Sequence, residues 1–239
     1  MGNRLAEEYL RVGYGRQSLQ YRKDDEIEVT TEHHRHLRET LRQLTLAFDR
    51  PIRALDAGCG TGRYFHCLQN VEDLVGVDLC PEMLAAAKSP VHKDHISASR
   101  IELVCGSIFE VSFSPATFDF IYSLGMFALG CPLTIELCEK FYTWLTPGGK
   151  LFFNVTDRAG LPFPTRARRR TRKLVYQFLP STIQQRWDER ANHVSVCELT
   201  ISELRKLMRQ TSFSQFRVTS HPCQSPLWKG SHLECLAQK

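Results

Sequence analysis

Two acidic residues and three glycines in the first third of the chain have the types and spacing of a nucleotide-binding site. Asp56 ends a short apolar run and is followed by Gly58, Gly60 and Gly62. Glycine lets the backbone turn with positive φ and lets a ligand approach without a Cβ in the way. Asp78 closes a second apolar run, where a carboxylate can accept hydrogen bonds from ribose hydroxyls. The pattern predicts two strands joined through a ligand-binding glycine loop.

The glycine spacing distinguishes two kinds of nucleotide site. A dinucleotide fingerprint places its third glycine three residues after the second, and Arg63 stands at that position. The segment 56–62, Asp-Ala-Gly-Cys-Gly-Thr-Gly, instead resembles motif I of the class I S-adenosylmethionine-dependent methyltransferases. Val75-Gly76-Val77-Asp78 resembles the acidic strand that follows motif I in that family. The resemblance implies S-adenosyl-L-methionine as cofactor and transfer of its methyl group by in-line displacement.

The resemblance also implies how the first motif would hold the cofactor. Asp56 and the three glycines would face the methionine end, and Asp78 would bind the ribose hydroxyls. Leu79 would pack against the adenine. No metal ligands are expected, because none of the nine cysteines has C-x-x-C spacing and they read as reduced core thiols.

Two later loops complete the implied cofactor site. Ser107 and Ile108 would line the adenine, although the family usually has an acid where Ser107 stands, and a hydroxyl is a weaker acceptor. Ser123 and Leu124 end a strand similar to the family's motif IV. They would flank the reactive centre, because ligands bind beyond the carboxyl ends of parallel strands.

Three residues are candidates for a catalytic base, which is needed only if the acceptor atom is protonated. His193 lies in a loop just before the last helix, where related enzymes place substrate loops. His33 is one of three histidines at 33, 34 and 36 on a predicted helix, where they cannot all face inward and a solvated face is the alternative. Tyr14 could close over the sulfonium, whose charge attracts aromatic faces, or it could serve packing alone.

Alternating strand and helix patterns predict the elements that position these residues. The fold class is α/β, with a doubly wound, seven-stranded, mostly parallel Rossmann-like sheet. Strands are predicted at 53–56, 74–78, 101–105, 118–124 and 151–155, and helices at 62–70, 81–87, 133–145 and 200–210. The resemblance adds an antiparallel C-terminal hairpin from 213–219 and 232–236.

The predicted domain division has three parts. Residues 1–50 form an N-terminal helical lid, with a first helix broken at 13–15 and a long helix over 26–48, or alternatively a helix on the outer face of the sheet. Residues 51–239 form the cofactor-binding domain. Within it, 157–199 is too long for an ordinary connection and predicts a helical cap insertion.

Charge is concentrated in one place. The net charge is +5, and six of the eight residues from Arg166 to Lys173 are basic, so that the remainder carries −1. This run is interpreted as a solvated face, as a grip for an acidic substrate, or as a phosphate grip on nucleic acid. No apolar run is long enough for a membrane span, and the N-terminus lacks the apolar core of a secretory signal, so we expect a cytoplasmic protein.

The sequence therefore favours a methyltransferase acting on an oxygen or nitrogen of a small organic molecule, with an acidic molecule as one option. A tRNA or rRNA methyltransferase that grips phosphates with Arg166–Lys173 is the alternative enzyme. A non-catalytic, cofactor-binding partner subunit is the second alternative, which the complete set of Asp56, the three glycines and Asp78 disfavours. The methyl acceptor and the oligomeric state stay open.

Overall fold

The computed structural model describes residues 2–128, 131–165, 167, 171, 175, 178–180, 183, 197–224 and 229–239. His193, most of the basic run and most of the predicted cap insertion lie outside the described residues. None of the helices in the described part of the chain combines the length and apolar character of a membrane span.

The described residues form five α-helices and eight strands. The helices are α1 (Gly2–Glu28), α2 (Glu32–Leu46), α3 (Pro81–Ala87), α4 (Ile135–Trp144) and α5 (Ile201–Met208). The strands are β1 (Ile52–Ala57), β2 (Val71–Asp78), β3 (Arg100–Cys105), β4 (Phe118–Ser123), β5 (Leu145–Asp157), β6 (Glu198–Leu199), β7 (Gln215–Gln224) and β8 (Lys229–Gln238).

All eight strands belong to one sheet. Its order is β3-β2-β1-β4-β5-β8-β7, and the two-residue β6 pairs with β5. Strands β1 to β5 run parallel, whereas β8 is antiparallel to β5 and β7 is antiparallel to β8. The predicted fold class is confirmed, including the C-terminal hairpin. The strand order reverses between β1 and β4, which places a crevice at the carboxyl ends of these strands.

The sheet buries apolar side chains on both faces. Successive residues of β1 point to opposite faces of the sheet, so Leu55 packs in the apolar core on one face and Ala54 in the core on the other. Leu37 and Leu41 of α2 are buried in the cluster around Ala54. Helix α2 therefore covers a face of the sheet, as the alternative to a lid predicts for this part of the N-terminal region.

The N-terminal helices differ from the prediction in their boundaries. Helix α1 continues through the glycines expected to break it, and the break falls at 29–31 instead. A glycine costs only about 1 kcal/mol inside a helix, which packing can offset. A Cβ at Gly15 would lie 2.9 Å from the Glu82 carboxylate of α3, so this glycine permits close approach of the two helices. Thr31 then caps α2, its side chain accepting from the His34 N–H.

The helix predicted at 62–70 is wrong. The structure has a turn and a single 3-10 turn, Phe65–Cys67, in its place. Tyr64, Phe65, Cys67 and Leu68 are all buried, a spacing that also suits one face of a helix, which explains the prediction. The chain is already extended at Leu68, which has φ −74° and ψ 134°. Asn70 has φ +57° just before β2 begins, which also ends any helix there.

Candidate functional site

A cavity of about 610 Å³ lies at the carboxyl ends of β1 and β2, and α1 borders it. The predicted site residues that line it are Asp56, Gly58, Gly60, Asp78, Leu79, Ser107, Ile108, Leu124, His33 and Tyr14. Residues separated by more than 100 positions in the sequence thus share one cavity.

Two of the predicted cofactor residues do not line this cavity. Ser123 is fully buried, and its hydroxyl donates to the Ala57 carbonyl at 2.8 Å. Gly62 has φ +75°, and a Cβ there would lie 2.8 Å from the Phe65 ring. The geometry gives both residues a structural role, in holding β4 to β1 and in closing the glycine loop.

The glycine loop and Asp78 form one hydrogen-bonded unit. Gly60 donates its N–H to Asp78 Oδ2 at 2.8 Å, and the Cys80 N–H donates to Oδ1 at 2.9 Å. Each carboxylate oxygen keeps a lone pair, so this side chain can accept further bonds from a ligand in the cavity. A Cβ built at Gly60 meets no described atom within 4 Å, which leaves the backbone open to close approach. These features fit a ligand with vicinal hydroxyls.

Asp56 is a buried acid at the end of β1. It is 3% exposed, and burial raises its pKa to about 8, an effect that the nearby Tyr122 hydroxyl opposes. The carboxyl group is therefore largely protonated at neutral pH. A cationic group placed beside it would favour its charged form.

A carboxylate from α1 reaches the loop that follows β3. Ser107 donates its hydroxyl to Glu7 Oε1 at 2.7 Å, and both residues line the cavity. The acid that the resembled family carries at position 107 thus has a counterpart on a helix 100 residues earlier. Sequence reasoning missed Glu7, because no local pattern connects α1 with this loop.

Helix α1 is also bonded to the glycine loop itself. The Asp25 side chain is fully buried and accepts hydrogen bonds from the Thr61 hydroxyl and from Arg63 Nε, the latter at 2.5 Å. Position 63, where a dinucleotide fold needs glycine, therefore carries an arginine that ties the loop to α1.

The expectation of a solvated histidine face on α2 is wrong for two of the three histidines. His33 and His34 are each 6% exposed, because they face the cavity and the hairpin. His34 Nδ1 lies 2.5 Å from the Tyr64 hydroxyl oxygen, and its Nε2 lies 3.0 Å from Glu28 Oε2. Burial lowers the pKa of His33 to about 4 and that of His34 to about 3, so both rings are neutral at pH 7.

Tyr14 lines the cavity from α1 and stacks at a tilt on Tyr21, with ring centroids 5.7 Å apart. Burial raises the pKa of Tyr14 to about 12. Its phenol is therefore protonated at neutral pH and acts as a hydrogen-bond donor or an aromatic wall, not as a ready base.

Comparison with known proteins agrees with this geometry. Residues 54–149, which contain the glycine loop, Asp78 and β4, match the family model described as a methyltransferase domain. The chain carries a methyltransferase domain over these residues. Structures of the Haemonchus contortus enzyme phosphoethanolamine N-methyltransferase 2 contain S-adenosyl-L-methionine or S-adenosylhomocysteine.

The methyltransferase domain has relatives of differing extent. Phosphoethanolamine N-methyltransferase 3 of Arabidopsis thaliana is 35% identical over 118 residues, which cover 46% of this chain and 22% of that protein. The chain therefore spans only part of the length of this curated relative.

Two solved structures share the fold at low sequence identity. Phosphoethanolamine N-methyltransferase 2 of Haemonchus contortus, solved with phosphomonomethylethanolamine and S-adenosylhomocysteine, has a TM-score of 0.54 at 18% identity. The match covers 85% of this chain and 52% of that one. A methyltransferase of Thermotoga maritima has a TM-score of 0.55 at 17% identity, with both chains covered completely.

Proposed function

We propose that this domain catalyses methylation of a nitrogen or oxygen atom of a small organic molecule. The bound cofactor would supply an activated methyl group on a sulfonium. The observation that carries the proposal is that one cavity joins the unit of Gly60 and Asp78 to a buried polar wall of His33, His34 and Glu28. Cofactor and acceptor can therefore share one cavity.

Asp56, Gly58, Gly60 and Asp78 would hold the cofactor, as the resemblance implies. Asp78 is oriented for this by two backbone N–H donors, and Leu79, Ser107 and Ile108 would border the adenine. Holding an acceptor close to an activated methyl group and excluding water can supply much of the rate enhancement.

The polar wall of His33, His34 and Glu28 would bind the acceptor. The neutral imidazole of His33 can accept a hydrogen bond from an amine or hydroxyl, because its Nδ1 has no partner among the described residues. Both ring nitrogens of His34 already lie against Tyr64 and Glu28, so His34 shapes this wall without being free to bind the acceptor. Burial raises the pKa of Glu28, whose carboxylate lies 3.0 Å from His34 Nε2. An amine acceptor must be deprotonated before it attacks, and burial favours its neutral form because desolvation penalises the charged ammonium.

The Arabidopsis relative is named for a phosphoethanolamine substrate, which supports nitrogen as the acceptor atom. The lining does not extend that support to the phosphate. Arg11 pairs with Glu8 at 2.8 Å, and Arg63 pairs with Asp25 at 2.5 Å, so both arginines of the described lining already have acidic partners. An unphosphorylated amine fits this wall at least as well.

Calorimetry with S-adenosylmethionine and S-adenosylhomocysteine tests the cofactor site. Asp78→Asn should weaken both by about 10–100-fold, because charged hydrogen bonds contribute about 1.5–3 kcal/mol each. Asp73→Asn is the matched control on the same strand, since Asp73 pairs with Arg100 away from the cavity and should leave affinity unchanged. The proposal would be contradicted if the wild-type protein bound neither compound.

A panel of small amines, hydroxylated compounds and acids with labelled cofactor then identifies the acceptor class. Transfer to amines or hydroxyls supports the proposal, whereas transfer to transcripts alone favours the RNA alternative. The basic run that suggested RNA lies mostly outside the described residues. Heparin retention that persists after its six basic residues become Ser or Gln would remove the reason for that alternative.

A further inference from the structure

Helix α2 meets the β7–β8 hairpin along a cluster of metal-ligating side chains. We call it the histidine seam, and its members are His33, His36, His221, Cys223, His232 and Glu234. His221 pairs directly with His232 across the hairpin. Side chains two residues apart on a strand share a face, so the four hairpin members point to the same side of the sheet.

The seam divides into two groups of three. The inner triad is His33, Cys223 and His232, and all three line the cavity. Its donor atoms lie within 4.8 Å of one another. A tetrahedral zinc ion lies about 2.0–2.3 Å from each ligand atom, which places the ligand atoms about 3.4 Å from one another. Side-chain rotations that move the donor atoms by about an ångström would therefore complete the site. Ring centroids of His33 and His232 are already 4.8 Å apart.

Burial gives the inner triad a second mark of a ligand site. His33 is 6% exposed and Cys223 is 2% exposed. Nδ1 of His33 is buried and has no hydrogen-bond partner among the described residues. A buried ring nitrogen without a partner is unfavourable in a folded protein, and a bound ion would satisfy it.

The outer triad of His36, His221 and Glu234 differs, because its members already bond to one another. His36 Nε2 lies 3.0 Å from both carboxylate oxygens of Glu234. His221 stacks on His36 with ring centroids 4.3 Å apart. The outer triad therefore holds α2 to the hairpin next to the inner triad, and the contacts among its side chains need no ion.

We propose that His33, Cys223 and His232 bind one divalent metal ion of the zinc class, with the open coordination position facing the cavity. Two imidazoles and a thiolate are a ligand set that zinc favours over magnesium or calcium, which take oxygen ligands. Three protein ligands and an open fourth position are typical of zinc sites that bind water or substrate. The metal site shares His33 with the polar wall of the proposed function, but metal binding is measured without any methyl transfer, so the two proposals can fail separately.

Cobalt titration of the metal-free full chain provides the test. We expect one equivalent of Co²⁺ to bind and to produce a thiolate-to-cobalt charge-transfer band, with Zn²⁺ displacing it. Cys223→Ser should remove the band, and His33→Ala should weaken binding at least about 10-fold, a loss typical even of outer-shell changes. Cys105→Ser is the matched control, because this exposed thiol lies outside the seam and should leave the band intact.

Two further measurements keep the proposal falsifiable if a variant folds poorly. Circular dichroism and thermal melting of each metal-free variant report folding directly. X-ray absorption of the zinc-loaded wild type should show one sulfur and two imidazole nitrogens. Absence of stoichiometric binding by the wild type overturns the proposal. So does binding that survives Cys223→Ser but is lost in His36→Ala, which would place the ion in the outer triad.

Discussion

Asp25 is the residue through which α1 holds the glycine loop, and its removal is the sharpest test of this interface. The side chain is fully buried and accepts from the Thr61 hydroxyl and from Arg63 Nε at 2.5 Å. Arg63 keeps 21% of its side chain exposed. Asp25→Ala would therefore leave a guanidinium and a hydroxyl in a largely dry interface without their acceptor.

Removing one partner of a buried ion pair costs about 3–5 kcal/mol, because the other charge stays uncompensated. The partial exposure of Arg63 lets water recover some of this, which favours the lower end, about 3 kcal/mol. For a chain of this size that loss would lower the Tm by about 6–12 °C. Glu26→Ala is the matched control on the same helix. Its carboxylate is 68% exposed and lies 3.4 Å from Arg22, so the change should cost less than about 0.5 kcal/mol.

Urea unfolding at pH 7 measures the free energy of unfolding of both variants and of the wild type. Arg63→Met added to Asp25→Ala should restore part of the loss, because it removes the uncompensated charge. Limited proteolysis should cleave α1 faster in Asp25→Ala than in Glu26→Ala. Equal, small losses in the two single variants would refute the reasoning, as would a double variant less stable than Asp25→Ala by the full cost of a second deletion.

Three further predictions concern stability. Burial raises the pKa of Asp119, but hydrogen bonds from Arg50 and neighbouring donors outweigh this and lower it below 3.8. The stability that ionised Asp119 contributes is therefore present above pH 3.8 and is lost as the pH falls through its folded pKa. In urea unfolding, the destabilisation caused by Asp119→Asn should therefore become smaller only in that acidic range. Gly58→Ala should destabilise by about 1–3 kcal/mol in the same assay, because Gly58 has φ +80° and a Cβ would lie 2.8 Å from Met126. Gly13→Ala should stabilise by about 0.5–1 kcal/mol, because Gly13 lies within α1 and its Cβ would meet no described atom within 4 Å; a loss of stability there would contradict the continuous helix.

The geometry of the glycine loop and Asp78 could be predicted from sequence because the contacts between them are short-range. Strand β1, the glycine loop and β2 follow one another directly, and the bond from Gly60 to Asp78 joins residues only 18 positions apart. Apolar runs, glycines and a terminal acid are sufficient signals for such a unit. The helix predicted at 200–210 also depends on a short-range signal, because Thr200 and Glu203, one turn apart, form the capping box that begins α5.

Long-range packing explains the predictions that failed. Helix α1 passes through two glycines because it packs against α3, a contact that no window around position 15 contains. His33 and His34 are buried because the hairpin and the loop at Tyr64 close over them. The periodicity of apolar residues along α2 does not show which distant segment will cover a given side chain. The metal site proposed at Cys223 would be equally invisible to cysteine spacing, because the neighbours of Cys223 in space come from α2 and β8.

The proposed acceptor-binding residues lie outside the part of the chain that matches the family model. The family match ends at residue 149, whereas the polar wall and the histidine seam use Glu28, His33 and His34 before it and Cys223 and His232 after it. Similarity to relatives within 54–149 therefore indicates a methyltransferase domain without indicating its acceptor. Helix α1 borders the cavity and is bonded to the glycine loop through Asp25, so the proposed acceptor wall is coupled to the proposed cofactor loop. Substitutions on α1 should consequently change cofactor affinity and acceptor preference together, whereas substitutions confined to the hairpin should change the acceptor alone.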